Sequence, residues 1–197
     1  MKKTAIFALL ISTCMASSCK SEQNLRKNTD KSDYFLTKDI ALTTDEQGLS
    51  RSFATLKTVH GNVVIKFYAN DAKTSVKRFV ELVSMGFYDN LIFHRVVQNF
   101  VIQSGDPTGS GQGGSGKKLP LEVKNHLNHV KGTLSLARIA NDPNSSDSQF
   151  FITLKESPSL DGKYTILGKV VRGLDILDKI QQGDKILTFS FHNKDSL

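Results

Sequence analysis

Eight short apolar runs, spread over residues 53–191 and broken by Gly, Pro, Asn and Asp, constrain this chain more than any other feature. They lie at 53–59, 63–67, 91–97, 100–103, 133–137, 149–154, 165–171 and 185–191, each the length of a strand and too short for an ordinary helix. Val63, Ile65 and Phe67 follow a turn at His60-Gly61-Asn62, which predicts a β-hairpin with the first run. Two segments have the other period. Val76, Phe79, Val80 and Val83 stand at i, i+3, i+4 and i+7, so an amphipathic helix is expected there, with Thr74 as N-cap and Gly86 as C-cap. Leu174, Leu177 and Ile180 indicate a second, short helix. The expected fold is mainly β: a closed eight-stranded antiparallel β-barrel capped by two α-helices.

The first fifty residues do not share this pattern. Lys2 and Lys3 precede an apolar stretch from Thr4 to Ile11 and small residues at Ala16, Ser17 and Ser18, so residues 1–19 read as an export signal too short to span a membrane. The two cysteines, Cys14 and Cys19, fall within or at the edge of that signal, which leaves no disulfide for the folded domain. Cys19 after Ala16-Ser17-Ser18 resembles a bacterial lipoprotein box, with Ala16 where Leu is commoner; lipidation of Cys19 is expected, and plain cleavage after Ser18 is the alternative. Either route takes the chain out of the cytoplasm, to the periplasm or cell envelope of a bacterium. Residues 20–50 are polar, without period 3.6 or 2, and read as a tether. The folded domain is expected over 51–197.

Several functions are set aside on chemistry. The net charge is +7, but the basic residues are scattered and form no stripe, so no nucleic-acid partner is expected. The run Gly111-Gln112-Gly113-Gly114-Ser115-Gly116-Lys117-Lys118 approaches a phosphate-binding loop, yet Lys118 stands where a magnesium-binding hydroxyl is needed and Pro120 follows where a helix should open. It reads instead as a tight surface loop. Glu122, His126 and His129 lack the spacing of a metal site, so no metal and no cofactor are expected.

Three blocks remain: Phe93-His94-Arg95 with Phe100, Gln103, Gly105 and Asp106; Leu136-Ala137-Arg138; and Ser148-Gln149-Phe150-Phe151-Ile152 followed by Leu160-Asp161-Gly162-Lys163. In this order and spacing they resemble the cyclophilin family of peptidyl-prolyl isomerases from about Phe53 to Phe191. The resemblance implies a cyclophilin-like barrel and acceleration of rotation about X-Pro bonds. It implies Arg95, Gln103 and Phe100 as catalytic residues. It further implies that Val101, Ala137, Arg138, Phe151, Leu160, Tyr164 and His94 contact the substrate, a proline-containing polypeptide. A monomer is expected, because such a barrel closes without a partner. A non-catalytic proline-peptide binding module or chaperone on the same fold is the alternative.

The chemistry fits these residues. An X-Pro amide rotates over a barrier of about 18–20 kcal/mol with no bond made or broken, so a catalyst needs only a site that prefers the twisted amide. Twisting returns a lone pair to the proline nitrogen, and a guanidinium, which only donates, suits it. An Arg within Phe93-His94-Arg95-Val96-Val97 has no comparable use in a plain barrel core. Three positions depart from the family pattern. Arg138 replaces the commonest Asn and is expected to favour acidic flanks; Ser159 replaces a Trp of many eukaryotic members, so weak cyclosporin inhibition is expected; Tyr164 replaces a frequent His.

Overall fold

A computed structural model of the protein describes residues 52–192, so the expected signal, the tether and Cys19 lie outside the described residues. Within them the eight apolar runs become eight strands: β1 (Phe53–Thr58), β2 (Gly61–Phe67), β3 (Arg95–Val97), β4 (Val101–Ser104), β5 (Thr133–Leu136), β6 (Phe150–Thr153), β7 (Ile166–Arg172) and β8 (Ile186–His192). They form one antiparallel sheet in the order β3-β4-β6-β5-β7-β2-β1-β8. The β1–β2 hairpin turns where predicted, with Thr58 Oγ1 donating to the Gly61 carbonyl at 3.0 Å and accepting from His60 N–H at 3.1 Å.

The expected closure needs correction. The sheet curls, but its edge strands β3 and β8 share no ladder; one bridge, Ile92 to Lys185, and neighbouring backbone bonds such as Phe93 N–H to Asp184 O (2.9 Å) tie them together. The run 91–97 therefore divides. Its first half binds the chain before β8, and only Arg95–Val97 continues as a strand on β4.

The helix α1 (Lys73–Ser84) buries Val76, Phe79, Val80 and Val83, the four positions read from its period. Its C-terminus is the expected glycine stop: Gly86 has φ +68, and Phe87 N–H to Leu82 O and Gly86 N–H to Val83 O, both 3.0 Å, close a Schellman motif. Its N-terminus is not capped by Thr74. Ala72 is the N-cap, and the Glu122 carboxylate accepts from the Thr74 and Ser75 N–H groups at 3.1 and 2.8 Å, supplying from a distant loop the negative charge that a helix start favours. The second helix, α2 (Leu174–Leu177), is a single turn burying Leu177.

Between α1 and the sheet, Phe79, Tyr88, Phe150 and Phe189 pack with centroids 4.9–6.0 Å apart. The Tyr88 hydroxyl donates to the Ser148 carbonyl at 3.0 Å, so its burial leaves no polar atom unpaired. The other face of β4 and β6 is left for something else.

Candidate active site

Residues directly opposite on neighbouring strands share a face of the sheet. Arg95 lies opposite Gln103, Gln103 opposite Phe151, and Phe151 opposite Ser135, so one row crosses β3, β4, β6 and β5. Arg95, Gln103 and Phe151 of that row open onto a cleft of about 220 Å³ lined by Arg95, Phe100, Val101, Gln103, Ala137, Arg138, Phe151, Leu160 and Tyr164, while Ser135 is covered. Phe150, one residue away on β6, faces the core at 0% exposure. Alternation along one strand thus serves packing and site together.

The polar side of the cleft is a directed relay. The Gly111 and Gly113 carbonyls accept from Gln149 Nε2 at 3.0 and 2.8 Å, which leaves Gln149 Oε1 to accept from Gln103 Nε2 at 2.9 Å. Gln103 Oε1 must then face Arg95, whose Nη1 donates to it at 3.4 Å. The guanidinium carbon sits 6.0 Å from the Phe100 ring centroid. Arg95 is exposed on an edge strand, so it reaches the cleft without the desolvation that a buried Arg would suffer.

The glycine run is what starts the relay. Asp106, 1% exposed, accepts from the N–H groups of Thr108 (2.7 Å), Gly111 (2.6 Å) and Gly113 (3.1 Å) and from the Thr108 hydroxyl (2.8 Å). Burial pushes its carboxyl up, but these donors outweigh burial and hold it well below the usual carboxylate range. A Cβ on Gly113 would lie 2.1 Å from Asp106 Oδ1, so this position must be glycine. The loop that resembled a phosphate cradle is wrapped around a carboxylate of its own chain, and no helix follows it.

Beneath the apolar side lies His129, whose side chain is fully buried. Its ring stacks on Phe151 (centroids 5.9 Å, 18°) and meets Tyr164 edge-on at 6.4 Å. Nδ1 lies 2.8 Å from Asp161 Oδ1 and Nε2 3.0 Å from Ser135 Oγ, while the His129 backbone N–H donates to the same Asp161 oxygen at 2.7 Å. The Ser-His-Asp order is that of a hydrolase triad, but Ser135 is 0% exposed and meets no substrate. The trio supports the floor of the cleft.

Burial lowers the His129 pKa more than Asp161 raises it, and burial likewise lowers that of His94. A folded-state His pKa below the unfolded value means that the unfolded chain binds more protons, so stability falls as pH drops below about 6.5. For Asp161 burial raises and the His129 donors lower, and the net direction is down; for Asp184 the Gln181 N–H leads the lowering. With Asp106, these carboxylates hold stability that is lost only below about pH 4. Urea titrations should therefore show two stages of acid loss, and His129→Gln should flatten the slope between about pH 7 and about pH 5. An unchanged slope in that variant would remove His129 from this account.

Of the expected site residues, nine line the cleft and His94 does not. Its ring lies beside Gly111, where an added Cβ would be 3.6 Å from Cδ2, and neither ring nitrogen makes a hydrogen bond among the described residues. Glu122, His126 and His129 go to three separate partners: the start of α1, Asp71 (3.2 Å) and Asp161. Sequence reasoning missed Gln149 and the His129–Asp161 pair. Gln149 lies in the run Ser148-Gln149-Phe150-Phe151-Ile152, and its polar side chain next to three large apolar ones was the available signal.

A curled eight-stranded antiparallel sheet with two helices, carrying an Arg-Gln-Phe row in an open cleft, defines a cyclophilin-class domain. The family model for cyclophilin type peptidyl-prolyl cis-trans isomerases matches residues 53–192. A peptidyl-prolyl cis-trans isomerase of Helicobacter pylori is 41% identical over 150 residues, covering 75% of this chain and 91% of the relative. The Schizosaccharomyces pombe isomerase ppi1 is 45% identical over 129 residues, covering 64% and 82%. A cyclophilin type isomerase from Cryptosporidium parvum superposes with a TM-score of 0.68 at 31% identity, covering 72% of this chain and 98% of that one. The same Cryptosporidium protein, solved in the presence of the dipeptide Ala-Pro, gives 0.67 at 31% identity, covering 72% and 99%. This chain belongs to the cyclophilin-type peptidyl-prolyl cis-trans isomerase family.

Proposed function

We propose that the protein accelerates rotation about X-Pro bonds in exported polypeptides, with Arg95 donating to the prolyl nitrogen of the twisted amide. The observation that carries this reading is the Arg95 guanidinium, oriented by Gln103, at the edge of a cleft whose floor is Phe100, Val101, Phe151 and Leu160. Phe100, Val101, Phe151 and Leu160 seat the proline ring, and Gln103 orients Arg95 and meets substrate backbone. The lone pair that Arg95 meets exists mainly in the transition state, so the bond lowers the barrier more than it tightens ground-state binding. Raising a step of about 0.01 per second to about a thousand per second takes roughly 7 kcal/mol, more than one charged hydrogen bond contributes. The socket supplies the rest by holding the ring and its flanks in place. No nucleophile or cofactor enters.

The destination, a bacterial cell envelope with a lipid anchor on Cys19, rests on the sequence of residues 1–19. Exchange spectroscopy on an Ala-Pro peptide should show faster cis–trans exchange with the protein present, and labelled fatty acid should be incorporated in the wild type but not in Cys19→Ala. Binding without acceleration would favour the non-catalytic module. Equal labelling of both chains would remove the anchor at Cys19.

A further inference from the structure

The cleft carries two guanidinium groups and no carboxylate. Among the described residues neither Arg95 nor Arg138 has an acidic side chain within ion-pair distance. The acids nearest Arg138 in sequence or on the rim are committed elsewhere: Asp142 lies 3.6 Å from Lys118, and Asp161 takes the His129 donors.

Arg138 is also fixed in place. Its Nε donates to the Lys163 carbonyl at 2.7 Å, and Nη1 donates to the Ile139 and Ala140 carbonyls at 2.9 and 2.7 Å. The guanidinium carbon lies 4.9 Å from the Tyr164 ring centroid. A long side chain held at four points loses little further freedom when a ligand arrives. Carbonyls and a ring face orient the cation without neutralising it. Nη2 keeps its donors free of any acceptor among the described residues.

Arg138 follows β5, which β4 and β6 separate from the Arg95 strand, a span of about 14 Å at ordinary strand spacing. Its charge therefore meets the residues flanking the proline and not the rotating amide. We infer that Arg138 and Tyr164 form a fixed cationic lip that makes this cleft select peptides with a carboxylate beside the X-Pro bond. The inference rests on the reading of the cleft as a proline-peptide site and specifies its substrate class.

The test is a positional scan by exchange spectroscopy, with Glu, Gln or Lys placed in turn at the two residues on each side of an Ala-Pro bond. The position facing the lip should show a Glu-to-Lys ratio in kcat/KM of roughly fivefold, carried mainly by KM. That ratio should shrink between about 0.02 M and about 0.5 M salt. Arg138→Gln should bring it close to one, whereas Arg138→Lys, which keeps the charge but loses the fork, should keep its direction at a smaller size. A wild-type ratio near one at every position, or a ratio unchanged in Arg138→Gln, overturns the inference. The Gln peptides keep the two readings apart: acceleration of these with no charge preference defeats the lip alone, and no acceleration of any peptide defeats the isomerase reading.

Discussion

Arg95→Ala is expected to lower kcat/KM on an Ala-Pro peptide by about a hundred- to a thousandfold, while chemical stability changes by no more than about 0.5 kcal/mol. The two effects separate because Arg95 is exposed and contributes to no part of the core. Among the described residues its side chain makes a 3.4 Å hydrogen bond to Gln103 and a 6.0 Å approach to Phe100, both at the cleft. Arg95→Lys should lose most of the same activity if the proposed mechanism holds, since an ammonium lacks the planar fork by which one nitrogen would bind Gln103 while another faced the amide. Exchange spectroscopy at matched protein concentration, with urea unfolding of each variant, measures both quantities. Activity within a few fold of wild type in Arg95→Ala would mean that the barrier is lowered by the socket alone.

The largest loss of stability should come from the residue beside the cleft's Phe151. Phe150→Ala should cost about 3–5 kcal/mol and lower Tm by roughly 10 °C or more. Phe150 is 0% exposed and lies 5.4 Å from Tyr88, 5.5 Å from Phe79 and 6.0 Å from Phe189, so truncation opens a void that three rings on different elements cannot jointly fill. Phe150→Leu should cost much less, because most of the volume remains. Thermal and urea unfolding decide the matter, and a cost below about 1 kcal/mol for the Ala variant would show that these rings are not the centre of the core. At temperatures where the variant stays folded, turnover per folded molecule should persist, since Phe150 faces away from the cleft.

Much of this was legible in the residues alone. The count of strands, the β1–β2 turn, the buried face of α1 and the Gly86 stop follow from period and turn chemistry, which act within a few residues. Interactions between distant segments were not legible. The Glu122 cap reaches α1 across 47 residues, Asp161 reaches His129 across 32, and Gln149 reaches Gln103 across 46. A local pattern carries no trace of them. The split of the run 91–97 between two partners escaped for the same reason: both halves are apolar, and only the partner chosen by the curled sheet tells them apart.

Sequence by itself determined which residues alternate, and so that Phe150 and Phe151 take opposite faces and that Arg95 stands among apolar neighbours. Only the tertiary structure decided which rows align. Strand register brought Arg95, Gln103, Phe151 and Ser135 into line across four strands, and a register shifted by one residue would have turned Gln103 into the core. That register is held by burial of Phe150, Ile102 and Leu134 on the opposite face, a sum over contacts from the whole sheet that no single segment contains.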